Sequence, residues 1–384
     1  MKRAIICIML LASLTAGAQR DAIKKQFTAF EPQVGLLLRE AARVAQNGRN
    51  FPRTTEKGKL KNVISRDWTS GFFPGMLWLM YEGTANKKWL EAAREYTEKM
   101  KTEQFNKGTH DLGFMMYCSF GNGLRLTADT AYRKVLIQSA QSLISRFNEK
   151  TGVIRSWDHH QDVWKFPVII DNMMNLELLF EATRLTGDST FHKIAVRHAD
   201  VTLKNHFRPD HSSFHVVDYD PETGHVRKKM THQGYADASA WARGQAWGLY
   251  GYAVCYRYTR DKKYLVQAEH IAGYIIRHPR ATADLIPYWD YDAPGAGQPR
   301  DASAAAITSS ALFELSTLSG KPEYRQKAQL IVDNLGRGYR SAPGQNAGFI
   351  LEHSTGHLPA GSEIDVPLVY ADYYYLEALL RSKK

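Results

Sequence analysis

The sequence predicts an all-α fold, an (α/α)6 barrel built from six helical hairpins, on two observations. First, five short turns share a pattern in which an apolar helix stops and an amphipathic helix with an early aromatic residue follows. These turns read YEGTANKKWLEAA, RLTADTAYRKVL, RLTGDSTFHKIA, RYTRDKKYLVQA and TLSGKPEYRQKA. Second, the helix before each turn is apolar on nearly every side, so it must be enclosed. Six enclosed helices ringed by six amphipathic helices form a closed toroid.

Each hairpin is justified in order along the chain by its turn and its aromatic marker. Gly, Asn, Asp or Thr in every turn suits a helix stop followed by a new N-cap. The markers are Trp89, Tyr132, Phe191, Tyr264 and Tyr324. A first helix near Phe27–Gln46 and a last helix near Val366–Arg381 complete the set of twelve. Strand-like alternation is confined to short loop segments such as Ser213–Asp218.

Longer loops precede five of the enclosed helices. They are Asn47–Asp67, Thr151–Ile170, Arg208–Ala238, Ala281–Arg300 and Ser341–Ile364. Because the enclosed helices all run in one direction, these loops and the helix N-termini should line the same mouth. Helix N-termini carry partial positive charge and favour anions. A cleft at this mouth is therefore the expected active site.

The first 18 residues, MKRAIICIMLLASLTAGA, have the features of a secretory signal peptide. Lys2 and Arg3 precede an apolar stretch, and an A-x-A cleavage site ends at Ala18. We expect an exported protein, periplasmic or secreted, whose residues 19–384 form a single catalytic domain. No other segment is apolar for long enough to span a bilayer, so membrane insertion is not expected.

The composition limits the kinds of molecule that this protein is expected to bind. The chain has 384 residues, 44% of them hydrophobic, which is enough for a sizeable core. Loss of Lys2 and Arg3 would lower the net charge from +11 to about +9. This charge either favours anionic ligands or serves solubility alone. Nucleic-acid motifs are absent, and so are HExxH and CxxC, which argues against nucleic acid, metal or cofactor. Cys118 and Cys255 are expected to be buried free thiols, and the oligomeric state stays open.

Acidic residues open four of the enclosed helices: Asp111, Asp171, Asp301 and Asp365. Each could be an N-cap, as could Thr69 or Ser70 on the first enclosed helix. Alternatively, two carboxylates from neighbouring helices could face one cavity. Burial raises the pKa of a carboxyl, so one could donate a proton while the other holds water or tunes its partner.

Aromatic and basic residues accompany these carboxylates. Trp68, Trp157 and Trp247 either pack in the core or offer flat faces to a pyranose ring. Arg243 lies in a largely apolar helix and needs an anionic partner, which an internal Asp or a substrate carboxylate could supply. The polar loop Leu351–Glu363 is either an ordinary loop or a site for a sulfate group.

Five stretches in order resemble the unsaturated glucuronyl hydrolases, glycoside hydrolase family 88, over nearly the whole mature chain. They are DWTSGFFPGMLWLMYE, HDLGFMMYCSFGNGLRLT, IIDNMMNLELLFEAT, THQGYADASAWARGQAWGLYG and GSEIDVPLVYADYYYLEALLR. The resemblance implies an (α/α)6 barrel that acts on short oligosaccharides left by polysaccharide lyases. It also implies hydration of the C4=C5 double bond of a terminal unsaturated uronic acid, which releases that sugar without displacement at the anomeric carbon.

The resemblance places the general acid/base on the Asp of IIDNMMN, Asp171, and the second essential carboxylate on the Asp of HDLGF, Asp111. It further implies a subsite for the unsaturated uronate lined by His110, Trp157, His215, Gln233, Arg243 and Trp247, together with Trp68 and Tyr370. Arg243 would suit the uronate carboxylate, because guanidinium can bind carboxylate through two hydrogen bonds. Two alternatives are an unsaturated rhamnogalacturonyl hydrolase acting on pectin fragments and a non-catalytic oligosaccharide-binding protein.

Overall fold

The structure, a computed structural model, describes residues 21–383, so the predicted signal peptide lies outside the described residues. Within this range, six outer helices alternate with six inner ones. The outer helices are α1 (Glu31–Arg43), α3 (Lys87–Glu98), α5 (Thr130–Ile144), α7 (Ser189–Asn205), α9 (Lys262–Arg277) and α11 (Pro322–Gly338). Four inner helices are α2 (Phe72–Thr84), α8 (Ala242–Thr259), α10 (Ala302–Ser319) and α12 (Val369–Arg381).

The other two inner helices begin irregularly. A π-helix, Gly113–Gly121, leads into α4 (Asn122–Thr127), and a 3-10 turn, Ile170–Asn175, leads into α6 (Leu176–Thr186). The inner ring closes because α12 packs against α2 as well as against α10. The predicted (α/α)6 barrel is therefore confirmed. Residues 21–28 form a separate helical stretch before α1, so the predicted first helix is split.

The turn from an inner to an outer helix repeats one hydrogen-bonding scheme. After α6, the Asp188 N–H donates to Thr186 Oγ1 at 3.0 Å, and the Asp188 carboxylate accepts from the Thr190 N–H at 2.8 Å. Gly187 between them has a left-handed backbone, with φ of 79°. The same left-handed position is held at the other turns by Ala85, Ala128, Arg260 and Gly320. The aromatic markers of the following helices are all buried, which confirms the predicted hairpin unit.

Strands occur only in the loops among residues 21–383. β1 (Phe51–Glu56) and β2 (Lys59–Val63) form an antiparallel hairpin, as do β3 (Phe147–Asn148) and β4 (Val153–Ile154). β5 (Pro167–Ile169), β6 (Val216–Tyr219) and β7 (Val226–Met230) form an antiparallel three-stranded sheet. The alternating segment Ser213–Asp218 thus supplies part of a strand.

The long loops meet at one end of the barrel, as predicted. The β5–β6 pairing joins the loops before α6 and α8. The Gln233 side-chain amide donates to the Gly356 carbonyl at 3.1 Å, and the Ala302 N–H donates to the His353 carbonyl at 3.1 Å. A bridge between Thr54 and Leu368 ties the first loop to the last. These contacts cross from loop to loop, so the mouth is one connected layer.

Of the four acidic residues considered as N-caps, one caps its helix. Asp301 does cap α10, since its carboxylate accepts from the Ser303 N–H at 3.0 Å and, more weakly, from the Ala304 N–H. Asp171 lies inside the first turn of the 3-10 segment, and Asp111 lies in the turn before the π-helix. Asp365 lies ahead of α12 and pairs instead with His353.

Neither Thr69 nor Ser70 caps α2, whose N-cap is Gly71. Their hydroxyls donate to Asp67 Oδ1 and to the Ser65 carbonyl. A Cβ on Gly71 would lie 2.2 Å from the Met115 carbonyl oxygen, so glycine lets α2 touch the π-helix. Close backbone approach replaces side-chain capping at this junction.

The core runs continuously around the inner helices and includes both cysteines. Cys118 and Cys255 are buried free thiols, as predicted. Between residues 21 and 383, no helix has the length and apolar character needed to cross a membrane.

Candidate active site

A cavity of about 210 Å³ lies at the loop end of the barrel. Eight of the ten predicted site residues line it: Trp68, His110, Asp111, Trp157, Asp171, Gln233, Arg243 and Tyr370. The other two, His215 and Trp247, lie behind its wall. The carboxylates on two neighbouring inner helices therefore do face one hollow, which is small enough to hold a single sugar ring closely.

Asp171 lies two residues after the end of strand β5 and is only 7% exposed. Its Oδ2 atom makes no hydrogen bond with any residue in the range 21–383. Burial raises the pKa of Asp171 to about 7, although the positive charge of Arg243 opposes that rise and the charge of Asp111 adds to it. A carboxyl with this pKa is partly protonated at neutral pH, so it can donate a proton and take one back.

Asp111 is held at the cavity by its neighbours in sequence. The Thr109 hydroxyl donates to Asp111 Oδ2 at 2.7 Å, and the Asp111 N–H donates to Thr109 Oγ1 at 3.1 Å. His110 Nε2 lies 3.3 Å from Asp111 Oδ1. Burial lowers the pKa of His110 even though Asp111 raises it, so the imidazole beside this carboxylate is neutral.

Asn175 connects the two carboxylate segments. Its Oδ1 atom accepts from the Phe114 N–H at 3.0 Å, and its Nδ2 atom lies 3.4 Å from His110 Nδ1. A Cβ on Gly113 would lie 2.4 Å from Asn175 Cα, so the backbones of the π-helix and the 3-10 turn are in direct contact. Both irregular helices therefore begin at one shared junction, which fixes Asp111 relative to Asp171.

Arg243 is nearly fully buried, and its two terminal nitrogens already have partners. Nη1 donates to Asp301 Oδ2 at 2.7 Å and to the Thr355 carbonyl at 2.6 Å, while Nη2 donates to the Gly356 carbonyl at 2.5 Å. Of the two partners considered from sequence, the internal Asp is the one observed. These bonds use three of the five guanidinium N–H groups, so the Nε–H, which has no partner among the described residues, and the second N–H of Nη2 remain for a substrate carboxylate.

His215 and Trp247 support Asp171 from behind. His215 Nδ1 accepts from the backbone N–H groups of His232 and Gln233, both at 3.1 Å. The proton of the neutral ring is consequently on Nε2, which lies 3.8 Å from Asp171 Oδ2. Burial keeps the pKa of His215 well below its usual value, so this contact is not an ion pair. Trp247 packs on Phe114 with ring centroids 5.0 Å apart.

Six buried polar atoms around this cavity have no hydrogen-bond partner within the described part of the chain. They are His110 Nε2, Asp171 Oδ2, His215 Nε2, Arg243 Nε, Trp247 Nε1 and Tyr370 Oη. A buried polar group without a partner costs about 1–3 kcal/mol. Their convergence at one hollow indicates a site whose partners arrive with a polar ligand.

Several lining residues were not predicted, because they come from long loops. Arg53 on β1 donates to Glu363 Oε1 at 2.5 Å and to Asp67 Oδ2 at 2.8 Å, which anchors the last loop to the first. His232 and His357 form part of the rim, with ring centroids 4.8 Å apart. The stretch THQGYAD, already singled out by its resemblance, contains His232 and was the available signal. Nothing local marked Arg53.

Trp241, also missed, lies just before α8 in the stretch ASAWARGQAW. Its ring stacks obliquely on His215 at 4.6 Å and lies 4.5 Å from the Arg243 guanidinium carbon. It thereby holds both polar side chains against the cavity wall. Of the loop Leu351–Glu363, four residues line the cavity: Gly356, His357, Ser362 and Glu363.

Comparison with known proteins agrees with this site. Residues 42–335 match the family described as Glycosyl Hydrolase Family 88. A Formosa agariphila protein named unsaturated glucuronyl hydrolase is 49% identical over 366 residues, covering 94% of this chain and 90% of the relative. A Streptococcus agalactiae protein named unsaturated chondroitin disaccharide hydrolase is 33% identical, covering 88% of this chain and 87% of the relative.

Solved structures of other proteins also resemble this barrel. An unsaturated glucuronyl hydrolase described as specific for heparin superposes with a TM-score of 0.88 at 48% identity, covering 94% of this chain and 97% of that chain. The unsaturated glucuronyl hydrolase of Bacillus sp. GL1 gives a TM-score of 0.84 at 32% identity, covering 92% of this chain and 96% of the other. With the barrel, the two carboxylates and these matches agreeing, the chain belongs to glycosyl hydrolase family 88.

Proposed function

We propose that this protein is an unsaturated β-glucuronyl hydrolase acting on short glycosaminoglycan-type oligosaccharides made by polysaccharide lyases. The observation that carries the proposal is the cavity itself, where a buried carboxyl with a pKa of about 7 is surrounded by polar atoms that lack partners. Relatives over most of the chain carry the same activity in their names. A terminal uronic acid supplies the hydroxyl and carboxylate groups that such a hollow requires.

Asp171 is the proposed general acid and base. Its protonated carboxyl gives a proton to C4 of the substrate, and positive charge develops at C5 beside the ring oxygen. Water adds at C5 and loses its proton to the Asp171 carboxylate, so the side chain returns to its starting state. The C5 hemiketal then opens, and the bond to the next sugar breaks as the C1 hemiacetal collapses.

Asp111 is proposed to assist as a fixed negative charge. It raises the pKa of Asp171 and faces the same hollow, where negative charge stabilises the cation developing at C5. The neutral imidazole of His110 beside it can accept or donate a hydrogen bond to substrate without cancelling this charge. Arg243, held by Asp301, offers its Nε–H, the second N–H of Nη2 and a nearby positive charge to the uronate carboxylate.

The aromatic walls suit a sugar ring. Trp68 packs on Tyr370 at 5.0 Å between ring centroids, and Trp157 packs on His159 at 5.2 Å in a stacked arrangement. All four residues line the cavity. Sugar C–H faces between such rings would exclude water, which strengthens the charge effects at Asp111 and Asp171.

The test uses the ultraviolet absorbance of the conjugated C4=C5 double bond, which disappears on hydration. We expect loss of absorbance with unsaturated glycosaminoglycan disaccharides. Asp171→Asn should still bind substrate while its kcat falls at least about a thousandfold, since the proton donor is removed. Asp111→Asn should also be severely impaired.

Asp261→Asn is the matched control. Asp261 is an exposed N-cap of α9, and Asn is an equally good cap, so this variant should turn over substrate at the wild-type rate. A wild-type rate in Asp171→Asn would refute the proposed acid. Absorbance loss with pectin fragments alone would point to the rhamnogalacturonyl reaction, and binding without any loss would point to an oligosaccharide-binding protein.

The finer substrate preference is also a proposal. One structural relative is described as specific for heparin, and another was solved with dGlcA-GalNAc6S. We infer that the rim loop Leu351–Glu363, together with His232, decides linkage and sulfate preference here, because these residues border the cavity beyond the two carboxylates. Comparing kcat/KM over sulfated and unsulfated heparin, chondroitin and hyaluronan disaccharides tests this inference, and no difference across the panel would refute it.

We further propose that the chain is exported by cleavage after Ala18. The support is the order of basic, apolar and small residues in the first 18 positions. Intact-mass measurement of the protein recovered from the periplasm or medium should give a chain that starts at Gln19. Recovery of the uncleaved chain in the cytosolic fraction alone would refute export.

A further inference from the structure

A second and larger cavity, of about 440 Å³, lies at the other end of the barrel among the middle and C-terminal parts of the inner helices. It shares no lining residue with the candidate active site. A layer of four aromatic rings separates the two hollows. Phe114 and Trp247 lie 5.0 Å apart, Trp247 and Tyr374 5.4 Å, and Tyr374 and Phe72 5.9 Å. We call this second hollow the basal cavity.

The basal cavity has a surplus of negative charge. Four carboxylates line it, Glu82, Glu177, Glu314 and Glu377, against three guanidinium groups, Arg125, Arg257 and Arg381. By formal charge, these seven side chains together carry one net negative charge. The inner helices also direct their C-termini to this end, and helix C-termini carry partial negative charge. Both contributions favour a cation.

The ion pairs of the basal cavity leave Glu177 the least compensated. Arg257 is shared between Glu177 and Glu314, and its Nη1 lies 2.6 Å from Glu314 Oε1. Glu377 accepts from the hydroxyls of Tyr250, at 3.0 Å, and Ser310, at 2.5 Å. Burial and the charges of Glu314 and Glu377 raise the pKa of Glu177 to about 7. Glu177 is thus the carboxylate with most to gain from a further positive partner.

An aromatic wall stands next to these carboxylates. Tyr117, Tyr258, Tyr374 and Phe313 line the basal cavity. Tyr374 is 2% exposed, yet its hydroxyl makes no hydrogen bond with any residue between 21 and 383. Tyr374 belongs to the lining of the basal cavity and not to that of the candidate active site, so this hydroxyl lies on the basal side of the ring layer. Aromatic faces beside a carboxylate are the surroundings that bind organic ammonium ions.

We propose that the basal cavity binds a small organic ammonium ion. The ammonium group would pair with Glu177 and donate a hydrogen bond to the Tyr374 hydroxyl, while its carbon chain packs on the tyrosine rings. The volume admits a chain of several carbons in addition to the charged group. This site is independent of the sugar chemistry at the other end of the barrel.

The test is isothermal titration of the purified protein with butane-1,4-diamine near neutral pH, with butane-1,4-diol as the neutral control. We expect saturable binding of the diamine and none of the diol. Glu177→Gln should weaken diamine binding at least about tenfold, because a hydrogen bond to a charged partner is lost. Tyr374→Phe should weaken it severalfold, and Asp171→Asn should leave it unchanged because Asp171 lies in the other cavity.

Three results would overturn the proposal: no saturable heat with the diamine, equal affinity in wild type and both basal variants, or loss of binding in Asp171→Asn. Retained hydrolytic turnover by Glu177→Gln shows that this variant is folded. The Tyr374→Phe titration decides the question if Glu177→Gln fails to fold. Titration of the diamine in two buffers of different ionisation enthalpy adds a check, because pairing with Glu177 should release protons in the wild type and not in Glu177→Gln.

Discussion

Asp171→Asn should stabilise the folded protein at alkaline pH while it abolishes turnover. Burial raises the pKa of Asp171 from 3.8 to about 7, so the folded state holds this proton more tightly than the unfolded chain does. The free energy of unfolding therefore falls as pH rises between those two values. Above pH of about 7 the ionised group costs about 4 kcal/mol, since each tenfold change in proton affinity is worth about 1.4 kcal/mol.

Asn cannot ionise, so the variant escapes this cost. Relative to wild type, its free energy of unfolding should rise by about 3 kcal/mol on going from about pH 5 to about pH 8. Urea denaturation at the two pH values, followed by tryptophan fluorescence, measures the difference. Asp261→Asn is again the control. Cap hydrogen bonds lower the pKa of Asp261, so this group is ionised throughout the range in both the folded and the unfolded wild-type protein, and the control difference should not change with pH.

A stability difference that is the same at both pH values would refute the reasoning, as would a variant less stable than wild type at the alkaline value. Either result would mean that ionising Asp171 in the folded protein costs little free energy, because water or a cation binds its Oδ2 atom. The proposed role as proton donor near neutrality would then lose its physical basis. Loss of turnover alone could not make this distinction.

Further predictions concern the residues around Asp171. Asp301→Asn removes the negative charge that pairs with the buried Arg243 guanidinium, which should cost about 3–5 kcal/mol of stability. The stronger positive charge should lower the pKa of Asp171 and move the alkaline limb of the kcat–pH profile to lower pH. An alkaline limb that does not move would contradict this. Gly113→Ala places a methyl against the Asn175 backbone and should cost about 1–3 kcal/mol and most of the activity, measured by melting and by turnover. Glu363→Gln weakens the anchor of the last loop and should raise KM more than it lowers kcat; a fall in kcat alone would argue against a positioning role.

The hairpin architecture could be predicted because its signals are local. Each turn places a hydroxyl, a left-handed residue and an N-cap at successive positions, as in Thr186, Gly187 and Asp188. Five such turns specify the number and order of the helices without any knowledge of tertiary contacts. The first helix was placed less well, although Pro32 in the first turn of α1 is a local signal for a helix start there.

The helix pattern alone predicts site residues only near the starts of the inner helices, whereas Trp157 and Gln233 in the loops were named from the family resemblance. Asp111 and Asp171 could be placed at the mouth because helix direction is the same in every hairpin. Arg53, His232 and His357 enter from long loops, and their positions depend on loop-to-loop hydrogen bonds between distant parts of the chain. Arg53, for example, meets Glu363, which is 310 residues away. No local pattern indicates a contact of that kind.

The protonation state of Asp171 shows most clearly what the sequence leaves undecided. From sequence, burial and the helix N-terminus have opposite effects on its pKa, and a capping role would have favoured the ionised form. The two aspartates differ in position. Asp301 caps its helix with Oδ1 and binds Arg243 with Oδ2, whereas Asp171 lies two positions after the N-cap residue Ile169 and keeps an oxygen without a partner in the described chain. A difference of two positions relative to the helix start thus separates a structural carboxylate from one that can carry a proton.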